Sequence, residues 1–174
     1  MEFRDLFNLN KDLVFNLALQ YVQCIEDAEE ITQDVFMSVY QKLDSFREEA
    51  EYTTWIYRIT INKSLDFIKA KKRKKRFAFI TSLFYEDGQS IKHEYADFNH
   101  PGVALEQKEA MSSLFKLINE LPENQRTALI LMKIESKSQK EAASIMNLSE
   151  KAVESLLQRA KKNLGLKLEQ AKED

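Results

Sequence analysis

The sequence contains few of the residues that form disulfides and turns. Its 174 residues include one cysteine, two prolines and three glycines. Lone Cys24 has no partner for an intrachain disulfide, which excludes a small disulfide-stapled domain and fits a reducing compartment. Because glycine and proline mark most turns, so few of them leave little room for a many-stranded sheet and favour an all-α fold.

Long apolar runs and histidines are equally scarce. No stretch of about 18 apolar residues occurs, so we expect no membrane span, and the first ten residues do not resemble a secretory signal, which predicts a cytoplasmic protein. The two histidines, His93 and His100, lie far from Cys24 in sequence, and no glycine-rich phosphate loop or metal-ligand spacing is present. We therefore predict that the protein is not an enzyme and needs no cofactor or metal.

Charge is present in quantity but unevenly distributed, although the net charge is only −2. Residues 1–50 carry a net −7, residues 51–76 a net +7, residues 77–109 a net −4 and residues 110–174 a net +2. Most of the positive block is the run KAKKRKKR at 69–76, with seven cations in eight positions. Such a cluster binds phosphates without reading base sequence. A solvated helix end and a nuclear localisation signal are the alternative interpretations.

Apolar periodicity predicts three helices in residues 1–76. The first covers residues 11–23, the second runs from Asp27 to about Leu43, and the third runs from Thr53 or Thr54 to about Arg76. The inward faces of the first two helices comprise Val14, Leu17, Ala18, Tyr21, Val22, Ala28, Ile31, Val35, Val39 and Leu43. The third helix is apolar on two sides, which is typical of a helix packed between others.

A polar strip separates the two apolar sides of the third helix. It comprises Trp55, Arg58, Asn62, Asp66 and Lys69 and leads into the basic run. An aromatic ring stacks on unpaired bases, an amide reads base edges and cations hold phosphates, so the strip suits single-stranded nucleic acid. The alternative is that Trp55 packs in the core and Arg58 pairs with a carboxylate.

The second half of the chain predicts a separate helical domain after a linker. Residues 77–104 lack a clear period and contain Gly88, Pro101 and Gly102, which indicates a flexible linker. Beyond it, Ser138 is placed to cap a short helix that ends at Asn147, and Ser149 to cap a longer one. Two helices joined this closely, the second longer and basic, form the helix-turn-helix pattern. An amphipathic helical hairpin without a DNA-binding role is the alternative.

Four segments in this order resemble the extracytoplasmic-function sigma factors of bacterial RNA polymerase. They are DAEEITQDVF at 27–36, LDSF at 43–46, TWIYRITIN at 54–62, and the C-terminal pair LPENQRTALIL at 121–131 and SQKEAASIMNLSEKAVESLLQRAKKNL at 138–164. The resemblance implies an all-α chain with a region 2-like domain at 1–76, a linker at 77–104 and a region 4-like helix-turn-helix domain at 105–174. It also implies a protein that binds core polymerase, recognises the −35 and −10 promoter elements and promotes strand opening.

The resemblance also assigns residues to each partner. The second helix would dock on the clamp of core polymerase through Glu29, Gln33, Asp34 and Met37. The −10 element would contact Phe46, Arg58, Ile59, Asn62, Lys69, Lys72 and Arg73, with Phe46, Ile59 and Asn62 around a flipped base. The −35 element would contact Lys151, Glu154, Ser155, Gln158, Arg159 and Lys162. Members of this family are commonly held by an anti-sigma factor, which makes such a protein a further expected partner.

One position departs from the family pattern at the start of the last helix. Glu154 stands where many members carry a cation, so it would repel phosphate and accept a hydrogen bond from a cytosine amino group instead. The inward-facing side of this helix comprises Val153, Leu157, Ala160 and Leu164. Leu156 lies off that side and would offer DNA at most an apolar contact. Two other functions remain open from the residues alone: a helix-turn-helix regulator that acts without core polymerase, and a helical protein–protein adaptor.

Overall fold

The computed structural model describes residues 2–46, 51–84 and 105–173. This part of the chain forms seven α-helices and contains no strand, which confirms the all-α prediction. The helices are α1 (Phe3–Val22), α2 (Ile25–Lys42), α3 (Tyr52–Phe84), α4 (Leu105–Asn119), α5 (Glu123–Leu129), α6 (Gln139–Met146) and α7 (Glu150–Glu173). A 3-10 turn (Leu43–Ser45) follows α2, and a π-helical turn (Ile130–Ile134) continues α5.

Helices α1, α2 and α3 pack against one another and form the first group. The apolar residues of their shared core are Leu6, Val14, Ala18, Ala28, Ile31, Val35, Phe36, Val39 and Ile56. Most of these positions were predicted from the helical period, and each large aliphatic side chain buried this way contributes about 1.5–3 kcal/mol relative to exposure. Burial of these side chains therefore explains why α1 and α2 turn their predicted apolar faces inward.

Helices α1 and α2 both begin earlier than the sequence predicts. Helix α1 begins at Phe3 rather than at residue 11, because the Phe3 and Phe7 rings pack on Phe36 with centroid distances of 6.4 and 4.7 Å. Helix α2 begins at Ile25, two residues before the predicted start at Asp27, so Asp27 lies in its first turn, where it pairs with Lys71.

Helix α3 is the longest element and lies between two cores. It buries Ile56 in the first core and Tyr57 and Ile61 in a second one, which confirms the prediction of a helix apolar on two sides. It ends at Phe84, past the predicted end at Arg76. Residues 52–84 contain no glycine or proline that would stop the helix. Residues 85–104, the remainder of the predicted linker, lie outside the described residues.

Helices α4 to α7 form the second group, and their local signals match the structure closely. Ser138 caps α6 in a capping box: its hydroxyl accepts from the Glu141 amide at 3.2 Å, while the Glu141 carboxylate accepts from the Ser138 amide at 2.8 Å. Asn147 ends α6 in the left-handed conformation, and the Ser149 hydroxyl accepts from the first turn of α7. Helices α6 and α7 pack together as the predicted helix-turn-helix.

The second core joins the two groups. Leu17, Tyr21, Tyr57 and Ile61 from the first group contact the buried residues of the second, which are Phe115, Ile118, Leu121, Ala128, Leu129, Ile130, Leu131, Ala142, Ala143, Ile145, Val153, Leu157 and Ala160. Helix α6 packs directly against α3. The strip on α3 therefore lies at the edge of the contact between the groups.

Candidate nucleic-acid interface

An aromatic cluster lies where α3 begins. The Phe46 ring stacks on Tyr52 with a centroid distance of 4.5 Å and lies 4.7 Å from the Trp55 ring. Trp55 and Ile59 are half-buried and pack against the first core. Trp55 thus has the packing role that was the alternative interpretation. The cluster nevertheless positions Phe46 and Ile59, two of the predicted base-contacting residues, close to one end of the strip.

Four of the seven cations of the basic run lie on one face of α3. A shallow groove is lined there by Asp34, Lys63, Asp66, Phe67, Lys69, Ala70, Lys72, Arg73 and Arg76. Lys69, Lys72, Arg73 and Arg76 recur at helical spacing, while Lys74 and Lys75 lie on the other side of the helix. Lys72 and Arg73 are exposed and make no ion pair within the described part of the chain. Lys72 and Arg73 therefore lie together in an exposed groove, and their contact with a nucleic-acid backbone stays a prediction.

Not all cations of the positive block are free. The Lys71 ammonium pairs with Asp27, and the Lys69 ammonium lies 3.1 Å from a Glu123 carboxylate oxygen. Lys63 lies 4.0 Å from Asp34. All three pairs are partly exposed, so each contributes little to stability. Their importance is that they neutralise cations that the sequence alone counts as available.

Arg58 has partners that the sequence did not reveal. Its Nε donates to the carbonyl oxygens of Ser144 and Ile145 at 3.2 Å, and its Nη2 also donates to Ser144. These carbonyls belong to the last turn of α6, where the helix dipole places partial negative charge. The carboxylate partner of the alternative interpretation is therefore replaced by the C-terminal end of α6, 86 residues away in sequence.

Asn62 lies on the exposed side of the strip. Its side chain is solvent-accessible, and it lines the cleft between the two groups together with Asn124 and Asn147. Asn62 and Arg58 therefore line the same cleft, next to the second group.

The outer face of α7 is presented to solvent. The predicted −35 contacts Lys151, Glu154, Ser155, Gln158, Arg159 and Lys162 are all exposed. The opposite face buries Val153, Leu157 and Ala160. Leu156, for which only an apolar DNA contact was predicted, is half-buried and packs against the second core instead. The face therefore has the polar, projecting character that major-groove reading requires.

The outer face of α2 is exposed as well. Glu29, Gln33, Asp34 and Met37 follow one side of the helix, and Met37 keeps 60% of its surface accessible. A methionine this exposed amid polar neighbours suits a protein contact.

Polar side chains at the contact between the groups form a network that sequence reasoning missed. The Tyr57 hydroxyl donates to Glu135 Oε2 at 2.7 Å, Gln20 Nε2 donates to Glu135 Oε1, and the Tyr21 hydroxyl and Thr127 Oγ1 lie 2.9 Å apart. Burial raises the pKa of Tyr21 to about 12. The pKa of Tyr57 is also raised, first by burial and then by the hydrogen bond to Glu135. No local motif marks these residues, because their partners are distant in sequence.

The described residues contain neither a metal-binding cluster nor a membrane-spanning helix. Within that part of the chain, no three His, Cys, Asp or Glu side chains are grouped so as to hold a metal ion. None of its helices is both long and apolar enough to cross a membrane.

Comparison with known proteins gives consistent matches along the chain. The family model for Sigma-70 region 2 matches residues 6–74, and that for Sigma-70, region 4 matches residues 112–164. The RNA polymerase sigma-H factor of Pseudomonas aeruginosa is 29% identical over 150 residues, which cover 85% of this chain and 76% of that protein. The ECF RNA polymerase sigma-E factor of Escherichia coli K12 is 28% identical over 159 residues, covering 90% and 81%.

A solved structure shares the fold. The sigma factor RpoE, in its complex with the anti-sigma factor NepR from Bartonella quintana, matches with a TM-score of 0.63 at 22% identity. The match covers 96% of each chain. It therefore includes both helical groups.

Proposed function

The chain belongs to the extracytoplasmic-function sigma factors of the sigma-70 family, and we propose that it recruits core RNA polymerase to promoters through three separate faces. It is an alternative sigma factor that works with RNA polymerase. The face of α2 around Met37 binds the clamp of core polymerase. Because that face is exposed and lies on a different helix from the strip, polymerase and DNA are bound side by side without competing.

The strip on α3 and the aromatic cluster before it take the −10 element. Phe46, Ile59 and Asn62 surround a base extruded from the non-template strand. The basic groove holds the phosphates on either side through Lys72 and Arg73, with Arg58 and Lys69 joining once they are released. Extruding a base costs a few kcal/mol of stacking, which the pocket and the phosphate contacts offset.

The outer face of α7 takes the −35 element as duplex DNA. Ser155 and Gln158 read base edges, Glu154 accepts from a cytosine amino group, and Lys151, Arg159 and Lys162 contact phosphates or base acceptors. Replacing Glu154 with alanine is expected to change the preferred −35 sequence. The glutamate therefore makes the preferred −35 sequence of this chain differ from that of members with a cation there.

The assembly implied by these faces follows the family. Residues 1–76 and 105–174 act as two domains, with 77–104 as the linker, whose first residues continue α3. The partners are core RNA polymerase, promoter DNA and an anti-sigma factor, since the fold neighbour from Bartonella quintana was solved with one. We place the protein in the cytoplasm, where the polymerase works.

The observation that carries this proposal is the separation of exposed faces: Met37 on α2, Asn62 on α3 and Gln158 on α7 are all accessible. The test is reconstitution with core polymerase on a promoter pool, followed by comparison of Asn62→Ala with wild type. We expect Asn62→Ala to open promoters about tenfold less well, the loss expected for one good amide–base contact. Its affinity for core polymerase should stay unchanged.

The matched control is Asn16→Ala, because Asn16 is also an exposed helical asparagine of the first group and lies in none of the three faces. Opening is read from the permanganate reactivity of unpaired thymines, and core affinity from complex formation. Equal loss of opening and core affinity in Asn62→Ala would indicate a folding role. Promoter binding by the chain without core polymerase would indicate an autonomous regulator, and binding of neither core nor promoter would indicate an adaptor.

A further inference from the structure

A second cleft lies where α3 passes α4 and α5, and its volume is about 460 Å³. It differs from the basic groove on α3, although Lys69 and Lys72 line both. Pockets that bind small molecules typically enclose about 300–1,000 Å³. The cleft is therefore large enough for a molecule of nucleotide size.

Arg126, which lines this cleft, is a buried cation without a counter-ion. Only 3% of its surface is accessible. Its Nη1 donates to the main-chain and side-chain oxygens of Asn119 at 3.3 Å, and its guanidinium carbon lies 5.4 Å from the centre of the Tyr21 ring. Among the described residues no carboxylate forms an ion pair with it, and its Nε has no hydrogen-bond partner. Because an isolated buried charge is costly, this arrangement calls for an anion.

The walls of the cleft carry an excess of positive charge. The cations that line it are Lys69, Lys72, Lys116 and Arg126. Its two carboxylates already have partners, since Glu120 pairs with Lys167 at 2.6 Å and Glu123 with Lys69 at 3.1 Å. Lys72 makes no ion pair in the part of the chain that the structure describes. Guanidinium and ammonium groups bind phosphate oxygens well, so the excess charge favours a phosphate.

Part of the wall is apolar and consists of Ile68, Leu121 and Pro122. An inorganic anion would leave this surface uncovered, whereas a flat ring that packs on it gains affinity by burying apolar area. A small phosphorylated molecule also reaches a buried guanidinium more easily than a DNA strand does, because each strand phosphate is flanked by sugars on both sides. The combination of cations and apolar wall therefore favours a nucleotide.

We propose that this cleft binds a phosphorylated small molecule of nucleotide size, with its phosphate on Arg126, Lys72 and Lys116 and its ring on the wall formed by Ile68, Leu121 and Pro122. The site is additional to the promoter and polymerase contacts, none of which supplies an anion to Arg126. The bound phosphate accepts from the Nε of Arg126 and neutralises the buried charge. The chain should therefore unfold at a higher urea concentration with the ligand than without it.

The test is calorimetric titration of the full chain, without polymerase, in a chloride buffer free of phosphate. The molecules titrated are ATP, GTP, inorganic phosphate and adenosine. We expect a single site per chain that binds a nucleoside triphosphate roughly tenfold more tightly than inorganic phosphate, because burial of the ring adds affinity. Adenosine, which lacks the phosphates, should bind more weakly than both. Absence of saturable nucleotide binding, or equal affinities for nucleotide and inorganic phosphate, would overturn the proposal.

Three variants separate the site from overall charge. Arg126→Gln should lower nucleotide affinity by roughly tenfold or more, the effect of losing a hydrogen bond to a charged group. Lys116→Gln changes an exposed position of the cleft and should lower affinity by about threefold, as for an exposed charge pair. The matched control, Lys161→Gln, removes the same charge from an exposed position of α7 outside the cleft and should leave affinity unchanged. Equal losses in Lys116→Gln and Lys161→Gln would show that only overall charge matters, which would contradict a site.

Two further measurements distinguish a ligand site from a structural arginine and from a DNA contact. If the guanidinium only holds Asn119 and Tyr21 in place, Arg126→Gln will lower the urea midpoint of unfolding without changing nucleotide affinity. If the cleft holds a strand phosphate, Arg126→Gln will weaken binding of a single-stranded oligonucleotide as much as binding of ATP. Either result would contradict the proposal. We expect strand affinity to stay unchanged, because Arg126 is buried.

Discussion

The groove on α3 makes a quantitative prediction about salt. Lys72 and Arg73 line the groove, whereas Lys74 and Lys75 follow on the other side of the same helix. We would replace Lys72 and Arg73 together with glutamine, and separately Lys74 and Lys75. Each double variant removes two positive charges from one exposed helical turn. The pairs therefore differ only in the side of the helix from which the charge is lost.

The expected size follows from counterion release. For a single strand, the logarithm of the binding constant falls with the logarithm of salt concentration by about 0.7 per neutralised phosphate. Loss of the two groove cations should therefore make the slope shallower by about 1.4. Between 50 and 200 mM salt, the wild type would then lose roughly sevenfold more affinity than the groove variant. The variant of Lys74 and Lys75 should keep the wild-type slope.

The assay is fluorescence anisotropy of a labelled single strand from the non-template −10 region, titrated with reconstituted holoenzyme over a salt series. Core polymerase contributes its own phosphate contacts, but these are common to all three proteins and cancel in the differences between slopes. Equal slope changes for both variants would show that only the overall charge matters. An unchanged slope for the groove variant would show that the groove contacts no phosphate, and the reasoning would fail.

Two further predictions concern stability and titration. Ser138→Ala removes the capping box with Glu141 and should lower the free energy of unfolding by about 1 kcal/mol, measured as a lower urea midpoint with an unchanged slope, while exposed Ser113→Ala should not lower it. Tyr21, with a pKa of about 12 against 10 in the unfolded chain, contributes stability that is intact below pH 10 and is lost as pH rises towards 12. The difference in tyrosinate absorbance between wild type and Tyr21→Phe should therefore titrate near pH 12, and a difference that titrates near pH 10 would contradict its burial.

The parts of the fold that the sequence predicted are those set by local chemistry. Ser138, Asn147 and Ser149 mark helix ends through hydrogen bonds to their own neighbours, so their roles were visible in the sequence. The start of α1 at Phe3 and the end of α3 at Phe84 were not predicted. The first depends on ring contacts with a different helix. The second was missed because residues 77–84 show no clear apolar period, although no glycine or proline there would stop the helix.

In the candidate site, too, the sequence predicted the features set by local pattern and missed the contacts between distant residues. Helical periodicity predicted the inward face of α2, which packs in the first core, and the candidate residues of α2 and α7 lie on the opposite, exposed faces. It did not predict the partners of Arg58 or the position of Glu135, since those contacts join residues at least 78 positions apart. A π-helical turn is likewise set by the packing around it and has no sequence signature that a periodicity argument detects.

The paired cations of the positive block fall into two classes, according to the helical group that supplies the partner. Lys63 and Lys71 pair with acids of α2, and those pairs persist whether or not the second group is attached. Arg58 and Lys69 are held by the second group instead, Arg58 by the carbonyls that end α6 and Lys69 by Glu123 of α5. Counting charges in the sequence therefore overstates the number of cations that are free to contact a phosphate.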